Sequence, residues 1–297
     1  MTPLSHILVA TDFSGCAARA VDRAARLAHD HHATLHLVHV MDRLQLQMFA
    51  GTLDEHPLAM EQRLRESARS RLKELAGLLA SHFGVSVKDE VLIGRIHAQV
   101  TEYATTHAID LTVFGAHGEN FVRDVFVGST ASKFLRKGRR PTLIVRSEKK
   151  RPYGQVLVAV DFSPASRLAI EWALRIAPQA AIHVLHVSEL PVEGKMRYAG
   201  ILEDDIAMYR RNAEQEARRA LEAFLGGIEG AAGLRRSVVD GPPSRTIAAQ
   251  AQLRHADLVV MGKRGKLEFD EFLLGSVTLR VLEEIDRDLL LVAPTAT

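Results

Sequence analysis

Cysteine is almost absent: Cys16 is the single one in 297 residues. No internal disulfide can form, and that usage fits a reducing compartment. Excess charge is missing too. The formal net charge is +2, so no strong field points to nucleic acid or an anionic membrane surface. No apolar run approaches the ~20 residues needed to span a bilayer. The opening stretch MTPLSHILVATDFS lacks the charged start and long apolar core of a signal peptide, so the expected location is the cytoplasm. A Gly-x-Gly-x-x-Gly turn after the first strand pattern is also missing, as are Walker A and a nucleophile elbow. Those gaps count against a dinucleotide dehydrogenase, a P-loop enzyme and a serine hydrolase. The chain has 14 histidines but no Cys pair and no His-Glu-x-x-His, so no metal ligands are assigned. His36 and His39 stand three apart in a strand pattern and are expected on opposite faces.

What is present is ordinary globular composition, 47% hydrophobic and 25% charged, in a chain long enough for two domains. The chain also repeats itself. HILVATDFS (6–14) returns as QVLVAVDFS (155–163), TLHLVHVMD (34–42) as AIHVLHVSE (181–189), and IDLTVFGAHG (109–118) as ADLVVMGKRG (256–265). His39 and His186 are 147 positions apart, as are Gly115 and Gly262, whereas Asp12 and Asp161 are 149 apart. One short deletion in an otherwise constant offset marks a duplicated domain. The boundaries read as 1–147 and 154–297, joined by the charged, proline-containing SEKKRPYG.

Within each copy, short Ile/Val-rich runs alternate with longer helical patterns. HILVATD is too short for a comfortable helix and reads as a buried strand. Ser14 is placed to cap the helix that follows, and Ser163-Pro164 adds proline at the first helical position. Long polar-amphipathic stretches follow near 55–82 and 202–226. RLRESARSRLKEL and YRRNAEQEARRAL within them read as solvated faces. A strand near 85–93, matched by SVVD, a helix at 97–107, a strand at 110–114, a helix at 129–137 and PTLIVR (141–146) complete the unit. The order β-α-β-α-β-α-β-α-β predicts two tandem doubly wound α/β domains, each with a five-stranded, mostly parallel sheet.

Ligands of such sheets sit at the carboxyl ends of the strands, where strand order reverses. Three segments should meet there: Thr11-Asp12, His39-Val40 and Phe114-Gly115. Gly115 and Gly118 allow close backbone approach. Nine residues further, Gly128-Ser129 opens a helix whose first N–H groups favour an anion. Gly262, Gly265, Gly275 and Ser276 repeat the spacing in the second copy. A loop of that length can fold back so that turn and helix start face one phosphate chain.

Gly-x-x-Gly, nine residues, Gly-Ser, twice, with an aspartate ending each first strand, resembles the universal stress protein family. The whole chain looks like a tandem member of its ATP-binding branch. The resemblance implies an adenine nucleotide, ATP or ADP/AMP, with Mg2+ carried on the phosphates. It implies contacts from Ala10, Thr11, Asp12, Val40, Gly115, His117, Gly118, Gly128, Ser129 and Thr130 in the first copy. In the second they fall on Ala159, Val160, Asp161, Val187, Gly262, Arg264, Gly265, Gly275, Ser276 and Val277. It also implies pairing of the last strands, PTLIVR with DLLLVA (288–293), as an intramolecular pseudo-dimer, with a further homodimer possible. This sequence departs from the family in having Ala10 and Ala159 where proline is common, and Asp288 where the first copy has Pro141. Its spacers are weakly basic: Glu268, Asp270 and Glu271 offset Lys263, Arg264 and Lys266 in the second. No general base is placed beside the phosphates. The expected function is a nucleotide-binding regulatory protein of the stress response. The alternatives are a slow ATP hydrolase and a nucleotide-free interaction module.

Overall fold

The computed structural model describes residues 3–42, 57–116, 134–135, 140–189, 196, 198–263 and 274–293. The chain divides into two compact units, Met1–Arg151 and Pro152–Thr297. The first contains β1 (His6–Ala10), α1 (Gly15–His31), β2 (Thr34–Met41), α2 (Pro57–Phe83), β3 (Val87–Ile93), α3 (Ile96–Thr106), β4 (Leu111–Gly115) and β5 (Thr142–Val145). Its strand order is β3-β2-β1-β4-β5, parallel at every pairing. The second contains β6 (Gln155–Val160), α4 (Pro164–Ile176), β7 (Ala181–Ser188), α5 (Glu203–Gly226), β8 (Arg235–Asp240), α6 (Pro243–Leu253), β9 (Leu258–Gly262), α7 (Ser276–Glu284) and β10 (Asp288–Val292). Its order is β8-β7-β6-β9-β10, again parallel. Each unit is a doubly wound α/β domain.

The strands lie where continuous apolar runs put them. Ile7, Leu8 and Val9 are fully buried, as are Leu157 and Val158 in the second copy and Leu289, Leu290 and Leu291 at its last strand. A strand covered on both faces has no solvent side to mark with polar residues. The helix starts follow their caps: Ser14 Oγ accepts from the Ala17 N–H at 3.2 Å, and Ser163 Oγ from the Ser166 N–H at 3.2 Å. Pro164 occupies the first turn, where its missing N–H costs nothing.

Two details differ from the sequence reading. Strand β8 begins at Arg235, two residues ahead of SVVD. It is an edge strand, and its exposed arginines hide its start from any reading of apolar runs. The connecting segment is also more than a solvated linker. Arg23 on α1 is buried, and its guanidinium donates to the carbonyls of Arg151 and Lys149, each at 2.7 Å. The helix expected over 129–137 lies outside the described residues except for Phe134 and Leu135, which are helical and buried.

Candidate functional site

In each unit strand order reverses beside the first strand: β1 lies between β2 and β4, and β6 between β7 and β9. The carboxyl ends of these strands carry Thr11-Asp12, Val40 and Gly115 in the first unit, and Val160-Asp161, Val187 and Gly262 in the second. The β1–β2 ladder ends with the Thr11 N–H on the Val38 carbonyl at 2.9 Å. The next acceptor, the Thr11 carbonyl, is taken by His39 Nδ1 at 2.8 Å. The second unit repeats this with His186 Nδ1 on the Val160 carbonyl at 2.9 Å. A carbonyl can only accept, so Nδ1 carries the proton in both rings. Ladder groups in a parallel strand alternate sides, so Val40, two residues beyond Val38, turns its main chain towards the space past the end of the first strand, and Val187 is its counterpart just past the last paired residue, His186. Both are only partly buried.

Each aspartate closes a short turn at this edge. Asp12 Oδ1 accepts from the Ser14 N–H at 3.0 Å, and Asp161 Oδ1 from the Ser163 N–H at 3.1 Å. Asp161 also accepts from Ser166 Oγ at 2.6 Å. The aspartates therefore shape the strand-to-helix turn whatever else they touch. Between aspartate and serine, Phe13 and Phe162 adopt φ values of 63° and 65°. This left-handed conformation is rare for a bulky side chain. The rings are held against the same two histidines, Phe13 to His39 at 4.8 Å and Phe162 to His186 at 4.2 Å between centroids. Burial lowers the His186 pKa, partly opposed by its bond to Val160 and by Asp161. Sequence reading missed these phenylalanines. The signal was there, since Asp-Phe-Ser recurs ahead of a histidine at the same place in β2 and β7.

Gly115 has a tighter role than ligand approach alone. A Cβ there would lie 2.7 Å from the Cys16 carbonyl oxygen, in the first turn of α1. The glycine lets helix and strand meet. Cys16 itself is only partly buried, and its sulfur accepts from Arg19 at 2.9 Å.

The glycine signature is best seen in the second unit. Lys263, just after β9, is buried, and its N–H donates to the Val292 carbonyl at 2.7 Å. Its carbonyl accepts from the Gly275 N–H at 2.9 Å, and Thr278 Oγ1 donates to the Gly262 carbonyl at 3.1 Å. The chain thus returns to its starting point before α7 begins. Ser276 and Val277 form the first turn of that helix, with no side chain capping it from Gly275. His117, Gly118, Gly128, Ser129 and Thr130, with Arg264 and Gly265, lie outside the described residues. Away from this edge His36 faces the other side of β2 from His39, bonding Tyr103 at 3.1 Å and His6 at 3.2 Å.

Fold and edge together define a duplicated α/β protein of the doubly wound type. The universal stress protein family model matches residues 3–146 and again 152–293, so the chain belongs to that family, as a tandem member. A universal stress protein of Mycolicibacterium smegmatis is 26% identical, the match covering 97% of each chain. One from Mycobacterium tuberculosis is also 26% identical, over 93% of this chain and 91% of its own. Among solved structures, a universal stress protein of Archaeoglobus fulgidus superposes with a TM-score of 0.68 at 18% identity, covering 97% of this chain and 98% of its own. That likeness concerns the fold. No described helix is long and apolar enough to cross a membrane.

Proposed function

We propose that the protein binds an adenine nucleotide at the strand-end edge of its lobes and acts as an ATP-dependent regulatory protein of the stress response. The observation that carries this reading is the closed signature of the second lobe. Hydrogen bonds from Gly275 to Lys263 and from Thr278 to Gly262 bring the end of β9, where the glycine turn begins, and the start of α7 to one place. The first N–H groups of a helix are unpaired and the dipole favours an anion, so this is where a phosphate chain would rest. Asp161 and the main chain of Val187 stand at the ends of the adjoining strands, where ribose and adenine would lie. Mg2+ would arrive on the phosphates and need no protein cage.

Holding phosphates on main-chain amides stabilises the ground state, whereas catalysis needs contacts that strengthen in the transition state. Efficient transfer also needs a positioned nucleophile and cations beyond the metal. We therefore expect turnover on the order of one per minute or slower, far below the roughly 10 per second median of enzymes. The nucleotide would bias conformation or partner binding through unequal affinity for two states.

Mass spectrometry of gently purified protein, followed by ATP titration calorimetry, tests the reading. ATP, ADP or AMP should be carried or bound. Asp161→Asn keeps an acceptor for the turn yet removes the charge, so weaker binding there separates a ligand role from capping. A chain that neither carries nor binds nucleotide would make the interaction module the better account. Phosphate release faster than one per second, lost on Asp12→Ala or Asp161→Ala, would make it a hydrolase.

A further inference from the structure

The duplicated units also differ at the opposite end of their sheets. In the first unit the amino-terminal ends of the strands are filled. His6 Nδ1 meets His36 Nε2 at 3.2 Å, Tyr103 OH meets His36 Nδ1 at 3.1 Å, and the His107 ring stacks on Tyr103 with centroids 4.0 Å apart. The repeat offset carries these positions onto Gln155, His183, Gln250 and Arg254 in the second unit. There the rings are gone except one, and a cavity of about 290 Å³ opens. It is lined by Gln155, His183, Arg235, Leu253 and Arg254, among others.

The lining has a definite chemistry. Arg235 is exposed, and among the described residues neither it nor Arg254 is joined to a carboxylate in an ion pair; Arg254 Nε meets Gln250 Oε1 at 3.0 Å and its terminal nitrogen reaches Ser237 Oγ at 3.5 Å. His183 Nε2 meets the same serine at 2.8 Å. The carboxylate adjoining the site in sequence, Asp257, is turned to the N–H groups of Gly154 and Gln155 at 3.0 and 3.1 Å. Two arginines thus line one cleft, and among the described residues no carboxylate lines it with them. Leu253, 69% exposed, supplies an apolar wall at the rim.

We propose that this cleft of the second lobe binds a small phosphate-bearing organic anion. Two fixed positive charges match a phosphomonoester, which carries close to two negative charges at pH 7 and offers three strong acceptor oxygens. Arginine presents planar donor forks suited to such oxygens. The volume is near the lower bound of small-molecule sites, ~300 Å³, which admits a compact metabolite rather than a whole nucleotide. Along β6 the lining residue Leu157 and Asp161 stand four residue steps apart, about 13 Å at roughly 3.3 Å each, with the rest of the cleft further back. The two sites are distinct, and this one stands whether or not the other binds nucleotide.

The test is a two-dimensional amide NMR titration of the full chain with glycerol 3-phosphate, and in parallel with inorganic phosphate. Amide signals of Leu253, Arg254 and Ala256 should shift with glycerol 3-phosphate at lower concentration than with phosphate. Arg235→Gln with Arg254→Gln should weaken binding at least tenfold. Leu253→Asp, at an exposed position that leaves folding intact, should do the same by placing a carboxylate at the rim. No shift at these amides would overturn the proposal. So would shifts confined to Gly262 and Gly275, affinity unchanged in the variants, or inorganic phosphate binding as tightly as the ester.

Discussion

Gly115 and Gly77 show how differently one residue type is used. At Gly115 a methyl group would meet main chain at 2.7 Å, and neither the helix nor the strand can yield cheaply. Gly115→Ala should destabilise the chain by about 1–3 kcal/mol, the usual range for overpacking. Gly77 sits within α2 with nothing within 4 Å of its missing Cβ. Gly77→Ala should stabilise by about 0.5–1 kcal/mol through helix propensity. Urea unfolding of the two variants beside the parent checks both signs. Bulky substitution at Gly115 is consequently a poor probe of ligand binding, since it breaks packing first. The buried histidines give a residue-scale expectation in pH. Burial is the main cause that lowers His36 and His183 to about 4 from the ordinary 6.5; for His183 the neighbouring Arg254 and Arg235 add to it. Between those values the unfolded chain binds more protons, so stability is full above about 6.5 and falls as pH drops towards 4. The loss reaches at most about 3 kcal/mol for fully buried His36, and less for solvent-screened His183. Thermal melts at pH 7 and pH 5 should show a smaller drop for His36→Gln than for the parent.

Elements were legible where burial repeats a pattern. The first strands, their serine caps and the long amphipathic helices follow from the sequence because apolar runs and caps act locally. The start of β8 does not, since an edge strand needs no apolar residues there. Nor do contacts between distant elements announce themselves. Tyr153 OH donates to the fully buried Asp288 at 2.7 Å, which gives that aspartate a role no strand pattern suggests. Tyr153→Phe should cost about 1–3 kcal/mol by removing a donor from a buried acceptor; a lowered denaturant midpoint at unchanged slope is the readout. Arg23 is similar. Its guanidinium pins the connecting segment 149–151 to α1. Arg23→Ala should loosen this already exposed segment, and trypsin cleavage after Lys149 and Lys150 should quicken at least severalfold over the parent.

Across the whole molecule the duplication was plain in sequence, because a constant offset needs no physics to detect. The candidate edge was partly legible: Asp161, Val187 and Gly262 do reach the ends of neighbouring parallel strands. What stayed hidden is that Asp12, Asp161 and Gly115 are each engaged in local structure, a matter of main-chain geometry that residue identity does not disclose. If both lobes bind nucleotide, calorimetry of the parent should give about two sites per chain and Asp161→Ala about one. The closed loop of the second lobe has a consequence of another kind. Its ends are fixed by Lys263, Gly275 and Thr278, all of which lie outside the residues between them. Closing entropy depends on loop length and hardly on composition. A spacer between such anchors can change its charge at little cost to the fold. The two spacers do differ in charge: one carries Glu268, Asp270 and Glu271, the other Glu119 and Asp124. Exchanging 266–273 for the sequence of 119–126 should leave the melting temperature nearly unchanged while altering which ligands the lobe accepts. The fold keeps its grip at the anchors and leaves its taste to evolve in between.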